Sequence, residues 1–158
     1  MSKYILPIIW LICFIAFNNK AMGYTHTSPL YTHITYIFAH AGLLHLAINA
    51  ISYISLHNTI RKCASIKAAL TISFISAIAA THLSTYDLPT IGASGLIFAM
   101  AGYLYASIKL KTRIIPYTTL AISLIVPFFI PQINAMIHLA SFTTSLIITL
   151  IYKWYEGK

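Results

Sequence analysis

Apolar residues run along this chain in six long stretches, at 4–17, 31–56, 66–83, 94–110, 114–130 and 135–152, with short polar segments between them. None of the six contains Asp, Glu or Arg, and their only lysines, Lys67 and Lys109, stand near an end. Most approach the roughly 20 residues that cross about 30 Å of hydrocarbon, the first being short. A stretch of this kind predicts a membrane-spanning helix, because lipid satisfies no stray backbone amide. The expected class is therefore an all-α membrane protein with six transmembrane helices in a single domain over 1–158. Internal repeats and low-complexity stretches are not apparent.

Composition agrees: 59% of the 158 residues are hydrophobic and 8% charged, against about 25% charged in an ordinary soluble domain. The formal charge of +8 comes from ten Lys and Arg against two acids. Its placement excludes nucleic acid as the partner, because the cations punctuate apolar stretches and accompany no DNA- or RNA-reading motif. Lys3 precedes the first stretch; Arg61, Lys62 and Lys67 cluster where two gives way to three; Lys109, Lys111 and Arg113 where four gives way to five; Lys153 and Lys158 follow six. The other three loops hold only Lys20. Nine cations against one place both termini in the cytoplasm by the positive-inside rule, so stretches two, four and six run from outside to inside.

Stretch one has a second reading. A Lys near the start, a short apolar run and small residues at 21–23 also resemble a secretory signal peptide, whose cleavage would leave five helices with orientation unchanged. Cys13 lies in that stretch and Cys63 in a basic loop, a placement that predicts no disulfide. Neither has a neighbouring Cys or His at zinc-ligand spacing, and no cofactor or metal is expected.

Polar side chains inside the spans carry the functional signal, since an intramembrane ionisable group is costly. Stretch two holds His40, His45 and Asn49, stretch six holds His138, and stretch four opens with Gly92-Ala93-Ser94-Gly95. His45 and Asn49, four apart, share a helix face. His40 is rotated about 140° from His45 on a continuous helix and need not share its role. The plain alternative for each is hydrogen bonding between packed helices. Depth adds a constraint. Ser94 lies fifteen residues before Lys109, and His138 fifteen before Lys153, on helices of one direction. Each would then sit about 22 Å above the inner interface, roughly 8 Å below the outer boundary. Counted from Arg61, His45 and Asn49 sit about 24 and 18 Å up. Four polar groups from three helices thus converge on one layer.

A hydroxyl and an imidazole in one layer suggest an activated nucleophile, with His taking the serine proton. The only acids, Asp87 in an outer loop and Glu156 in the cytoplasmic tail, are not placed to complete a triad, so the expectation is a Ser94–His138 dyad. Gly92 and Gly95 would permit close approach of backbone to substrate and leave the Ser94 amide open at a helix N-terminus. That amide, with His45 and Asn49, could form an oxyanion hole.

The segment His40-Ala-Gly-Leu-Leu-His45-Leu-Ala-Ile-Asn49, the Gly92-Ala-Ser94-Gly95 quartet and the lone His138 of the last stretch resemble, in order and topology, the rhomboid intramembrane serine proteases. The resemblance covers stretches two to six. It implies a compact rhomboid-like bundle, Ser94 as nucleophile, His138 as general base, His45, Asn49 and the Ser94 amide as oxyanion donors, and His40 in a supporting hydrogen-bonding role. Phe98 stands where the family often has a tyrosine beneath the catalytic histidine. Ser141 and Ser145 stand where it usually has a small-xxx-small glycine pattern, which implies looser packing of the last helix. The Trp-Arg pair common in the first loop is absent, and the linker around 131–134 is short. The implied substrates are single-pass or multi-pass membrane proteins in the bilayer, cleaved near the outer leaflet, and the compact core suggests a bacterial inner membrane. Two rivals remain: an inactive rhomboid-like protein that binds transmembrane helices, and a histidine-based transporter or metal carrier.

Overall fold

The computed structural model describes residues 2–108, 125–130 and 133–157. Within them the regular structure is helical, with one isolated bridge between Tyr24 and Thr90. The helices are α1 (Ile5–Ala16), α2 (Thr32–Thr35), α3 (Leu43–Cys63), α4 (Ile66–Thr81), α5 (Ser94–Ser107) and α6 (Ala135–Glu156), with a 3-10 turn at Val126–Phe129. The expected stretch 114–130 lies outside the described residues except for 125–130, as do Lys109, Lys111 and Arg113.

α6, at 22 residues, is the one described helix both long and apolar enough to cross a membrane by itself. α1, α4 and α5 are apolar but span 12, 16 and 14 residues. Large apolar side chains face outward on several helices: Ile8, Ile12 and Ile15 on α1, Leu44, Ile48 and Ile51 on α3, and Ile147, Leu150 and Ile151 on α6 are all exposed. A solvent-facing surface rarely carries contiguous apolar patches of this extent, whereas lipid requires them. Trp154 and Tyr155, beside Lys153, end α6 with the side chains that favour a membrane–water boundary.

The expected helix at 31–56 is not continuous. The chain makes one helical turn at Thr32–Thr35, runs irregularly through 36–42, and starts α3 at Leu43. The backbone of 36–39 closes local turns, the Phe38 amide donating to the Thr35 carbonyl at 2.9 Å, and two bonds reach distant partners: the Tyr36 carbonyl accepts from the Gly92 amide at 2.9 Å, and the His40 amide donates to Asn19 Oδ1 at 2.9 Å. Non-helical backbone at membrane depth is tolerated where protein covers it, and Tyr36, Ile37, Ala39 and His40 are buried. α3 then runs seven residues past the expected end, with Arg61 and Lys62 in its last turn, where cations favour the helix dipole. Its buried positions, Leu46, Asn49, Tyr53, His57 and Ile60, recur every three or four residues and form one stripe.

α4, α5 and α6 pack against one another as the centre of the fold, and α3 packs on α4 and α5. Ser65 caps α4 by accepting from the Ala68 amide at 3.3 Å. α1 docks on α3 through Trp10, fully buried with its ring 5.4 Å from Tyr53 and 5.7 Å from His40. Asn19, just beyond α1, donates to the Phe14 and Phe17 carbonyls at 3.2 Å each, closing that helix end.

The α5–α6 contact is tight, contrary to the looser packing expected from Ser141 and Ser145. The glycine that permits it is on the other helix: a Cβ on Gly102 would collide with the Phe142 carbonyl oxygen and stand 3.2 Å from the Leu146 nitrogen. Backbone meets backbone there, with Ser141 and Ser145 fully buried alongside.

Candidate active site

Ser94 is the first residue of α5, where the helix N-terminus leaves backbone N–H groups without an intrahelical acceptor. The turn that delivers it depends on Gly92, whose φ of 126° lies in the region side-chain-bearing residues avoid. A Cβ there would also lie 2.7 Å from His45 Nε2 and 3.5 Å from Asn49 Nδ2, so the glycine backbone fits directly beneath both side chains. Gly95 answers a second constraint: a Cβ there would stand 2.7 Å from Tyr36 Oη and 3.1 Å from Ile137 Cγ2. Tyr36, wholly buried, donates to the Ala77 carbonyl at 2.9 Å and wedges α4 against the start of α5.

His138, one turn into α6 and 7% exposed, brings Nε2 to 2.8 Å from Ser94 Oγ. Phe98, four residues after Ser94 and so on the same face of α5, stacks on the imidazole at a centroid distance of 4.5 Å and an interplanar angle of 24°. His138 Nδ1 is buried and has no hydrogen-bond partner among the described residues. Both acids are engaged elsewhere, Asp87 with His26 at 3.0 Å and Glu156 with the Tyr152 hydroxyl. Packing therefore orients the ring.

His45 Nδ1 accepts from the Ala41 amide at 3.4 Å, which in the neutral ring leaves the proton on Nε2 and makes that atom a donor. Asn49 is 3% exposed, and its Nδ2 has no partner among the described residues. An unpaired buried amide is costly, about 1–3 kcal/mol, and Asn49 is among the residues lining a cleft of about 430 Å³, with His45, Ser94, His138, Ile48, Ile91 and Ile133. The four polar groups expected to share a layer are thus brought into one cleft.

His40 differs from the expectation in two ways. Because 36–42 is not helical, its ring lies 5.3 Å from that of His45, edge to face, rather than on a separate helix face. Its buried ring nitrogens have no hydrogen-bond partner among the described residues. What it supplies is packing between Trp10 and His45. Ser141 abuts the site from below, its Oγ 3.4 Å from where a Cβ on Gly95 would stand. No group of three or more potential metal ligands occurs among the described residues.

The sequence reading missed the residues that hold the loop before Ser94. Tyr24 exchanges two backbone hydrogen bonds with Thr90, at 2.9 and 2.7 Å, and its hydroxyl donates to the Thr81 and Ser84 carbonyls at the end of α4. Burial pushes the Tyr24 hydroxyl pKa up, away from the range in which it could lose the proton it donates. Asn134, at the start of α6, donates to Ser84 Oγ and Thr90 Oγ1. A polar residue just before an apolar run is a helix-start signal, and would have marked Asn134 as a cap. Tyr24 carried no local signal.

Residues 27–154 match the family model described as Rhomboid domain. No curated protein matches the chain.

Proposed function

Because the chain belongs to the rhomboid family, we propose that it is an intramembrane serine endopeptidase acting on membrane-anchored proteins through a Ser94–His138 dyad. The family consists generally of intramembrane serine proteases and also has inactive members. The observation that carries the active reading is the 2.8 Å approach of His138 Nε2 to Ser94 Oγ at a helix N-terminus.

In this reading the domain is 1–158, with six spans, both termini in the cytoplasm of a bacterial inner-membrane protein, and the cleft opening toward the outer leaflet. Ser94 Oγ attacks the scissile carbonyl carbon while its proton passes to His138 Nε2. The developing oxyanion accepts from the Ser94 amide, His45 Nε2–H and Asn49 Nδ2–H, donors aimed at charge that exists only in the tetrahedral intermediate. His138 then gives its proton to the leaving amine, leaving an acyl-enzyme on Ser94. Water, deprotonated by the same imidazole, attacks that ester and releases the second product. The imidazolium formed in each step has no carboxylate beside it; the face of Phe98 offers its positive charge about 1 kcal/mol. A substrate helix must unwind locally, since a helical carbonyl is hydrogen-bonded and shielded.

The test is cleavage of a transmembrane reporter by the purified protein, with fluorophosphonate labelling in parallel. Both are expected in the native protein and absent in Ser94→Ala. A folded native protein that shows neither, over several reporters, belongs with the inactive helix-binding members.

A further inference from the structure

The proposed dyad joins two stretches far apart in sequence, and its hydrogen bond has a twin. Thr90 lies four residues before Ser94, and Asn134 four before His138. Asn134 Nδ2 donates to Thr90 Oγ1 at 2.8 Å, the separation found between Ser94 Oγ and His138 Nε2. The same nitrogen donates to Ser84 Oγ at 2.9 Å, and Oδ1 caps α6 by accepting from the Ile137 amide at 3.2 Å.

We infer that Asn134 is a positioning residue that sets the Ser94–His138 separation by fastening the start of α6 to the loop that carries Ser94. Resting on the proposed protease reading, this adds a residue that the dyad chemistry does not name. Three facts support it. Asn134 is 4% exposed, and both hydrogens of its amide are committed to the loop, so none remains for a substrate although the side chain lines the cleft. Its target is rigid, because Thr90 is held from the other side by both backbone bonds to Tyr24. Its own position is also rigid, because its carbonyl oxygen is the helix cap. A shift of α6 by a fraction of an ångström acts directly on a 2.8 Å contact between hydroxyl and imidazole, and misplacement by about 1 Å costs reacting groups about 100-fold in rate.

Substitution can separate the capping role from the fastening role. Asn134→Ser keeps a side-chain cap but removes both amide donors, while Thr90→Val keeps Asn134 intact and removes one acceptor. Measured on the full chain in detergent, Asn134→Ser is expected to lower kcat for a transmembrane reporter and the rate of fluorophosphonate labelling by about 10- to 100-fold. KM should stay within about threefold and the melting temperature within a few degrees of the native protein. Thr90→Val should lower kcat by a smaller factor, and the double variant should be no worse than Asn134→Ser, as for two residues acting through one contact. Native-like kcat in a folded Asn134→Ser overturns the inference, as do equal losses in kcat and thermal stability. Should Asn134→Ser fail to fold, Thr90→Val decides alone, and full activity there overturns it. A native protein that neither cleaves nor labels would defeat the protease reading itself, and the inference with it.

Discussion

Replacing Asn49 by leucine should move stability and activity in opposite directions. The two side chains branch alike at Cγ, so the volume at this buried site on α3 is nearly conserved. What changes is the amide, whose nitrogen is buried without a partner among the described residues. In the resting protein that donor is a liability. Its removal should stabilise the fold by about 1 kcal/mol, read as a rise of roughly 2–4 °C in melting temperature. In the tetrahedral intermediate of the proposed reaction the same donor would meet an oxyanion, and deleting one such donor costs about 3 kcal/mol, or on the order of 100-fold in kcat. The assay pairs thermal unfolding in detergent with reporter cleavage at saturating substrate. A kcat within about threefold of native would refute the oxyanion role. A melting temperature that falls together with kcat would show that Asn49 is a structural polar residue whose partner matters to the fold.

Three further outcomes follow from the geometry. Gly92→Ala combines a φ of 126° with a Cβ only 2.7 Å from His45 Nε2; backbone strain of about 1–3 kcal/mol and a displaced His45 should abolish measurable labelling while circular dichroism stays helical. Gly102→Ala drives a Cβ into the Phe142 carbonyl and should cost about 1–3 kcal/mol, seen as a lower melting temperature; native-like unfolding would mean α5 and α6 are not in backbone contact. The positive-inside orientation predicts that a membrane-impermeant maleimide applied to intact cells leaves the exposed Cys63 unlabelled but labels a cysteine introduced at the exposed Thr85. The reverse pattern would invert the topology.

Much of the candidate site was legible because its signals are local. The Gly92-Ala-Ser94-Gly95 quartet, the four-residue spacing of His45 and Asn49, and the fifteen-residue offsets of Ser94 and His138 from basic residues are each readable along a single segment. Phe98 was legible only through the resemblance, since one aromatic four residues after Ser94 is unremarkable by spacing. His40 shows the limit of reading along a single segment: the 140° rotation assumed a continuous helix, and the chain breaks at 36–42, where distant partners, Asn19 and Gly92, take the hydrogen bonds of the His40 amide and the Tyr36 carbonyl.

Sequence alone determined that the chain is helical and membrane-adapted, since hydrocarbon-length apolar runs and the sorting of cations between loops depend only on what each segment contains. It also supplied the chemical inventory of the proposed dyad. Tertiary structure alone decided how closely these parts meet. That α5 and α6 touch through Gly102, that Tyr24 and Asn134 fasten the loop before Ser94, and that His40 packs on Trp10 are all consequences of contacts between residues dozens of positions apart. The physical reason is that periodicity and charge act along a segment, while steric exclusion and hydrogen-bond pairing act between segments and have no fixed spacing in the chain.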